Sequence, residues 1–472
     1  MRARPLREVV VTGMGVIGPH GFDAEDMFQR LCRGESGIRR IAHFDTSFCP
    51  CKIGGTVEGF DARQFFADRE TLRIVRLMDK VHQWALAGTH LALVDAGLED
   101  TLLAAARDRR RAGADAAPYS PERMGIYLGT GLSGRTLMEK IPVTMLQRYR
   151  EAVRDGRVPK IDVGAWLARA EEDLLREIGD IVGQDVNPMD FLQQCPSVAA
   201  AYIAMRYRAM GPNVTVVSLC AAGAQAIGEA AWAVARGDAD IALAGGADSM
   251  LNALDLTAFC KLDAVTARSH EVEAASKPFD LRRDGCVVGE GAAVLVLEPA
   301  DRAAARGARM YAEVAGYGSS DDGYKISAPP EDGHGAVLAM RRALDSAGLR
   351  PEDIDHINAH GTSTPLNDRI ETTAIKSVFG AHAHAIPVVS TKSMTGHLIA
   401  AAGALEAVIA VKSLEHRVVP PTINLEKADP LCDLDYVPEG ARALARMDAV
   451  LSNSFAIGGV NAALLFRRPA SS

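Results

Sequence analysis

A cysteine at the joint between an apolar strand and an Ala-rich helix is the first candidate for chemistry. The β-branched run 214–217 predicts a short buried strand, and the small-residue run that continues to Arg236 predicts a buried helix. Cys220, between them, would lie over unpaired backbone N–H groups and the positive end of the helix dipole, which lower a thiol pKa. The position therefore favours a thiolate nucleophile, and the alternative is a small apolar core cysteine.

Two histidines stand at turns of the same kind. His360 ends a strand predicted over 355–359, and His397 precedes the Ala-rich run 398–414. A helix N-terminus disfavours imidazolium, so His397 is expected to stay neutral and to donate a hydrogen bond to an oxygen that gains charge. One such histidine alone would more often be structural. Two of them, in a chain whose cysteine occupies an equivalent turn, indicate acyl transfer through a thioester.

A lysine lies in the same turn as the second histidine. Lys392 follows the predicted strand 386–390 and precedes the helix 398–414. Burying its ammonium without a carboxylate would be costly. Glu371, on the helix that follows His360, is the candidate partner, so the sequence predicts a Lys392–Glu371 ion pair beside the imidazoles.

The elements that carry these side chains alternate between strands and helices along the chain, which predicts an α/β architecture with buried, largely parallel sheets. The order strand, turn, small-residue helix occurs at 214–236 and again at 386–414, which indicates a duplicated unit. The charged segment 137–183 carries no chemical motif and is expected to form an insertion on the main body.

Composition excludes several classes of function. Apolar residues make up 48% and charged residues 24%, as in an ordinary globular protein, and the net charge of −8 argues against general nucleic-acid binding. The eight cysteines are scattered, and Cys49 and Cys51 have no second pair at zinc spacing, so we expect no metal and a reducing, cytoplasmic location. The apolar run 398–411 carries Glu406 and is shorter than the ~20 residues that span a membrane, so no membrane segment is expected.

Two GxGxxG strings, at 13–18 and 129–134, each follow a predicted strand. A dinucleotide site would need the glycines to open a helix at once, with an acidic residue about 20 positions further on. After residue 18 the next helical pattern starts only near Asp23. The strings therefore predict tight turns rather than a nucleotide site.

Longer motifs carry a resemblance to a known family. These are GPNVTVVSLCAAG at 211–223, HGTSTPLND at 360–368, STKSMTGH at 390–397 and SNSFAIGGVNA at 452–462. The chain resembles the elongating, KAS I/II-like β-ketoacyl-acyl-carrier-protein synthases over nearly its whole length. That resemblance implies the thiolase-like fold, an α/β αβαβα layered sandwich of two duplicated halves. We expect the first half to span 1–305 and to carry the nucleophile, and the second to span 306–472 and to carry both histidines.

The resemblance also implies roles for single residues. Cys220 matches the nucleophile that accepts the primer acyl group, and His360 and His397 match the pair that binds the malonyl thioester carbonyl during decarboxylation. Lys392 matches the family lysine, taken here to be tied to Glu371. The residues implied to contact the substrate are Thr362, Thr364, Phe455, Ile457 and Gly458. The oxyanion hole would use the backbone N–H groups of Cys220 and Ile457.

The implied activity is decarboxylative Claisen condensation of a Cys-bound acyl group with a malonyl-carrier protein, in fatty-acid or type II polyketide synthesis. The alternatives are a non-decarboxylating acyltransferase and a non-catalytic subunit like a chain-length factor. The implied partner is an acyl carrier protein, in a homodimer or in a heterodimer with a second synthase-like chain, with no metal or nucleotide cofactor. Ile457 stands where the family usually has a gating phenylalanine, and Leu219 is bulkier than the usual alanine, so the acyl substrate is expected to differ.

Overall fold

The computed structural model describes residues 6–107, 119–131 and 192–469, together with residues 154, 155 and 176. Apart from those three single residues, the insertion expected at 137–183 lies outside the described residues. Within the described ranges, no helix is long and apolar enough to cross a membrane.

Fourteen strands and twelve α-helices are present in the described residues. The strands are β1 Val9–Ile17, β2 Ile38–Arg40, β3 Ile53–Gly55, β4 Met124–Thr130, β5 Asn213–Val216, β6 Ile241–Ser249, β7 Glu290–Pro299, β8 Ala312–Asp321, β9 His356–Asn358, β10 Val388–Val389, β11 Val418–Val419, β12 Arg442–Ala443, β13 Ala449–Phe455 and β14 Val460–Arg467. The helices are α1 Ala24–Cys32, α2 Arg69–Val75, α3 Lys80–Asp95, α4 Glu99–Arg107, α5 Val198–Tyr207, α6 Ala222–Arg236, α7 Ala253–Lys261, α8 Ala300–Ala305, α9 His334–Ala347, α10 Pro365–Phe379, α11 Lys392–Thr395 and α12 Ala402–His416.

Ten of the strands form one sheet in the order β10, β9, β13, β14, β8, β1, β7, β6, β4, β5. The central strands β8 and β1 share only two residue pairs, Val10 with Glu313 and Val11 with Ala312, so the sheet divides there into two halves of five strands. From the centre outwards, each half places its strands in the same order: first, fifth, fourth, second and third along the chain. This identical order confirms the predicted duplication.

Strand direction agrees with the prediction within each half of the sheet. The three outer strands of each half pair parallel: β5, β4 and β6 in the first, and β10, β9 and β13 in the second. In each half one strand, β7 or β14, is antiparallel to both of its neighbours, so the innermost strand, β1 or β8, runs in the direction of the outer three. Four of the five strands in each half are therefore parallel, and the reversed strand was not predicted, because an apolar strand buried on both faces gives no sequence signal of its direction.

The helices complete five layers. The helices α3 and α5 pack on the outer face of the first half-sheet, α9 and α10 pack on the outer face of the second, and α6 and α12 lie between the two. The inner helices approach closely, because a Cβ on Gly223 would lie 2.7 Å from the Ala400 carbonyl oxygen and one on Gly403 would lie 2.9 Å from the Ala224 nitrogen. The layered αβαβα sandwich is confirmed, and its central layer carries the turns of interest.

The two inner helices begin in the same way. Each follows a single 3₁₀ turn, Leu219–Ala221 before α6 and Ile399–Ala401 before α12. Leu219 has φ of 49° and Ile399 has φ of 48°, in the left-handed region that residues with a Cβ rarely occupy. Such strain persists where the surrounding structure enforces it. The predicted equivalence of the turns holds, with Ala400 rather than His397 as the counterpart of Cys220.

The sequence predicted that the strand leading to Cys220 is buried, but in the structure this strand is not buried. It spans Asn213–Val216 and lies at one edge of the ten-stranded sheet, where Val214 is 38% exposed and Val217 is 53% exposed. No strand of the described residues pairs with its outer side. A β-branched run reads alike in a buried strand and in an edge strand, so the sequence could not separate the two.

The first GxGxxG string lies partly in a strand and partly in a turn. Gly13 and Gly15 lie inside β1, and a Cβ at these positions would lie 2.2 Å from the Ala92 carbonyl oxygen and 2.1 Å from the Gly88 carbonyl oxygen. These two glycines therefore allow α3 to pack directly on the strand backbone. The predicted tight turn begins only at Gly18, which exchanges two backbone hydrogen bonds of 3.0 Å with Gly21.

Candidate active site

The structure brings the cysteine and both histidines into one cavity of about 380 Å³. The Nε2 atom of His397 lies 3.0 Å from the Cys220 sulfur, and the ring centroids of His360 and His397 are 5.2 Å apart. All three side chains are buried. Cys220 comes from the first half of the sandwich and the histidines from the second, so the cavity lies where the halves meet.

The electrostatic environment of the cysteine differs from the prediction. Burial raises the pKa of the Cys220 thiol to about 11. The Lys392 ammonium and hydrogen bonds from the backbone N–H groups of Ile457 and Cys220 lower this pKa, but their effect is smaller than that of burial. The expected depressed pKa was wrong, because loss of water around a thiolate outweighs the helix dipole in a closed pocket. At neutral pH the resting site therefore contains a thiol next to an imidazole.

Both imidazoles are neutral. Burial, with the nearby Lys392 ammonium, lowers the pKa of His360 and of His397 well below the usual 6.5. This agrees with the predicted neutrality of His397, although the cause is burial rather than the helix dipole. The Lys392 nitrogen lies 3.5 Å from Nδ1 of His360. Because the ammonium can only donate, Nδ1 is the acceptor and the ring proton of His360 belongs on Nε2.

The carboxylate paired with Lys392 is Glu406, on α12, and not Glu371. Lys392 also donates a hydrogen bond of 2.7 Å to the His360 carbonyl oxygen. Burial raises the pKa of Glu406, and the ammonium of Lys392 opposes this. The predicted Lys392–Glu371 pair was therefore wrong. A signal for Glu406 was present, since an acidic residue within the apolar run 398–411 needs a partner.

Glu371 instead supports the backbone of the turn that carries His360. Its carboxylate accepts hydrogen bonds of 2.8 Å from the backbone N–H groups of His360 and Gly361, and one of 3.2 Å from Asn453 Nδ2. These donors hold the Glu371 carboxylate against the backbone of the turn. Burial raises the pKa of Glu371 and the backbone donors lower it.

The two predicted threonines line the same cavity. The hydroxyls of Thr362 and Thr364 are 2.9 Å apart, and Thr364 caps the N-terminus of α10. Sequence reasoning did not identify Arg283, a buried side chain that donates to the carbonyl oxygens of Thr364 at 3.1 Å and Pro365 at 3.0 Å. Arg283 therefore fixes the backbone that presents the threonines, and the polar string RRDG at 282–285 was its only signal.

The C-terminal glycine turn forms another wall of the cavity, lined by Phe455, Ile457 and Gly458, the remaining residues expected to contact the substrate. The ring of Phe455 lies 5.9 Å from that of His360, centroid to centroid. The Gly458 N–H donates a hydrogen bond of 2.8 Å to the carbonyl oxygen of Ile326, whose side chain is 81% exposed. A loop that the sequence analysis did not single out, residues 322–329, therefore completes the mouth of the cavity.

One thiol and two imidazoles could also form a metal site, since their candidate ligand atoms lie within 4.8 Å of one another. The ammonium of Lys392, 3.5 Å from the His360 ring, opposes a cation at that point. Neutral imidazoles and backbone N–H groups suit a developing negative charge instead. The arrangement is therefore better matched to an enolate or oxyanion than to a metal ion.

The five-layered fold and the Cys-His-His site define an acyl-transferring enzyme of the thiolase-like class. Residues 6–303 match the family model for the N-terminal domain of β-ketoacyl synthases, and residues 311–426 match the model for their C-terminal domain. The chain belongs to the β-ketoacyl synthase family.

Known proteins of this family resemble the chain over its full length. A curated relative from Synechocystis sp., 3-oxoacyl-[acyl-carrier-protein] synthase 2, is 38% identical over 98% of both chains. The AntDE:AntF structure, a type II PKS acyl-carrier protein in complex with its ketosynthase bound to the hexaketide, is 30% identical with a TM-score of 0.79, over 99% of this chain and 100% of that one. The ishigamide ketosynthase/chain length factor structure is 32% identical with a TM-score of 0.78, over 98% of this chain and 100% of that one.

Proposed function

We propose that the protein condenses an acyl group held on Cys220 with a malonyl group delivered by an acyl carrier protein, with release of carbon dioxide. The observation that carries this proposal is the 3.0 Å contact between Cys220 and His397, with the His360 ring in the same cavity. The relatives named 3-oxoacyl-[acyl-carrier-protein] synthase 2 support the same activity.

In the first step, the Cys220 sulfur attacks the carbonyl carbon of the primer thioester and the carrier thiol leaves. Since the resting thiol is neutral, its proton must move as the bond to carbon forms. His397 Nε2, 3.0 Å away, is placed to accept that proton and pass it to the leaving sulfur. The N–H groups of Cys220 and Ile457 that donate toward the sulfur would then hold the carbonyl oxygen of the acyl group.

In the second step, the malonyl thioester places its carbonyl oxygen between the two imidazoles. The His360 ring donates its Nε2–H, and the His397 ring donates from Nε2 in the tautomer that carries its proton there, so negative charge can pass to this oxygen as the carboxylate leaves as carbon dioxide. The Lys392–Glu406 pair and the Glu371 carboxylate fix the turn that carries His360 and so position its ring.

In the third step, the carbon of the resulting enolate attacks the acyl carbonyl carbon, and the bond to Cys220 breaks. The product is a β-ketoacyl group on the carrier, with the Cys220 thiolate as leaving group. The reactive thioesters come from the carrier's prosthetic arm, so this scheme assigns no step to a metal or to a further cofactor.

We divide the chain between residues 305 and 306. The boundary follows α8, which ends at Ala305, and precedes β8, the first strand of the second half. The first part then contributes the nucleophile and the second part contributes both imidazoles.

We also propose a dimer formed through the edge strand β5. Its outer side lacks a partner strand among the described residues, and four apolar side chains near it are exposed: Met205 at 64%, Met210 at 60%, Val214 at 38% and Val217 at 53%. A second copy of this chain would pair the edge and cover these residues. The ishigamide neighbour is a ketosynthase/chain length factor structure, so a second synthase-like chain is the other occupant. Light scattering on the purified chain alone gives its molar mass, which distinguishes a homodimer from a monomer that dimerises only with a second synthase-like chain.

The test combines an acyl-carrier protein as primer with malonyl-carrier protein labelled in its free carboxyl group. Wild-type protein should form an acyl-enzyme of the expected mass and release labelled carbon dioxide as β-ketoacyl product appears. Cys220→Ala should lose both the covalent acyl group and the product, whereas Cys195→Ala, which removes an exposed thiol outside the cavity, should keep both. An acyl group retained in Cys220→Ala would disprove the mechanism. Acylation without release of carbon dioxide would favour the non-decarboxylating acyltransferase.

A further inference from the structure

The mouth of the active-site cavity contains one lysine and no arginine among its described lining residues. This residue, Lys325, lies in the loop between β8 and α9, beside two exposed apolar side chains, Tyr324 at 58% and Ile326 at 81%. Cys220 and the imidazoles are buried, whereas this loop reaches solvent. The cavity therefore runs from a buried thiol to a rim that carries the side chain of Lys325.

The ammonium of Lys325 is available for a ligand. It forms no ion pair with the described residues and lies 5.0 Å from the ring centroid of Tyr324. Three carboxylates line the same cavity. Asp322 accepts a hydrogen bond from Asn461 Nδ2 at 2.8 Å, Glu371 accepts two from backbone N–H groups, and the exposed Asp263 forms no ion pair with Lys325. An anion that reaches the rim would find the Lys325 ammonium without an ion-pair partner among the described residues.

We propose that Lys325 binds the phosphodiester of the prosthetic arm that carries the acyl group. The inference rests on the proposed function, since it requires a carrier-bound thioester. With the thioester at Cys220, a saturated acyl group and the pantetheine amides bring no charge into the cavity, and the phosphodiester is the one anionic group that the arm leaves near the rim. The exposed rings and methyl groups of Tyr324 and Ile326 would contact the apolar part of the arm.

The malonyl carboxylate is the other anion that enters this cavity. It is bonded within a few atoms of the thioester and so must lie near the imidazoles at the floor when condensation occurs. A primer thioester has no such carboxylate. The primer acylation step therefore isolates the contribution of the phosphodiester.

The experiment compares two primers that differ only in the phosphate: an acyl-phosphopantetheine and the matching acyl-pantetheine, with an acyl chain that the wild-type protein accepts. Acylation of Cys220 is followed by intact-mass spectrometry. Because a charge-assisted contact at a solvent-exposed rim is modest, wild-type protein should show a KM about five-fold lower for the phosphorylated primer, with similar kcat. Lys325→Gln should remove this preference, and Lys325→Arg should retain it.

A matched control is Lys427→Gln, which removes one exposed lysine outside the cavity and should leave the phosphate preference unchanged. Equal KM values for the two primers in wild-type protein, or an unchanged preference in Lys325→Gln, would overturn the assignment of Lys325 while leaving the proposed function intact. Failure of both primers to acylate wild-type Cys220 would count against the proposed function and, with it, against this inference.

Discussion

Removal of the charge on Glu406 should expose the dependence of the site on one buried ion pair. The Lys392 and Glu406 side chains are 2% and 3% exposed, so neither charge is screened by water. Glu406→Gln keeps the shape of the side chain and one acceptor oxygen, but it leaves the Lys392 ammonium without a counter-charge. Breaking a buried pair in this way costs about 3–5 kcal/mol, and the remaining hydrogen bond places this variant near the lower value.

The assay is a double-mutant cycle with Lys392→Met, measured by chemical denaturation. In the Lys392→Met background no ammonium remains, so Glu406→Gln should cost less than about 1 kcal/mol and the coupling energy should be about 2 kcal/mol or more. With an unfolding entropy near 2.1 cal/mol/K per residue, the whole 472-residue chain has an unfolding entropy of about 1 kcal/mol/K. A loss of about 3 kcal/mol in Glu406→Gln should therefore lower Tm by about 3 °C.

Glu371 provides the comparison, because its carboxylate bonds to backbone N–H groups and not to Lys392. Glu371→Gln should therefore be destabilising by itself, while its coupling to Lys392→Met, which acts only through the His360 backbone that both side chains contact, should stay below the coupling between Lys392 and Glu406. A coupling of Lys392 to Glu371 as large as that to Glu406 would refute the assigned pairing.

Three further predictions concern the gate, a buried histidine and the helix crossing. Ile457→Phe should narrow the range of acyl chains transferred to Cys220, as read by intact mass over a chain-length series; an unchanged profile would dismiss Ile457 as the gate. Burial lowers the pKa of His356 to about 4 from 6.5, so protonation favours the unfolded chain and stability should fall as pH drops from 6.5 to 4, by about 3 kcal/mol for this one group. His356→Asn should flatten denaturation midpoints across that window, and an unchanged slope would contradict the burial effect. Gly403→Ala should lower the free energy of unfolding by about 1–3 kcal/mol through overpacking, since its Cβ would meet the backbone of α6. Gly18→Ala has no atom within 4 Å of its Cβ and should lower the free energy of unfolding far less in the same denaturation assay.

The sequence predicted the turns that hold the reactive residues, because apolar strands and small-residue helices have clear patterns and the turns between them are short. Cys220 and His397 lie 177 positions apart in the chain, and their contact followed from the repeated order of elements around them. The partner of Lys392 did not follow from this order. Pairing depends on which helix crosses above the turn, and α12 brings Glu406 there through the close approach at Gly403.

The pKa of Cys220 was mispredicted for a different reason. A helix dipole can be inferred from position in the sequence, but the degree of burial is a property of the assembled layers. Val214 and Val217 illustrate the converse case, since their β-branched types indicated a buried strand and the topology placed them at a sheet edge. In both cases the residue type indicated the kind of element that the residue belongs to. The solvent exposure of the residue depends on how distant elements pack and could not be read from the neighbouring sequence.

The shared strand order of the two repeats carries an evolutionary consequence. If the two repeats descend from two joined copies of one ancestral unit, each copy could change its reacting residues while the other copy kept its own. The turn before α12 has the same left-handed backbone as the turn before α6 and bears Ala400 where the first repeat has Cys220. Neither repeat by itself now holds a complete set of reacting groups, so selection on the enzyme must act on both repeats together.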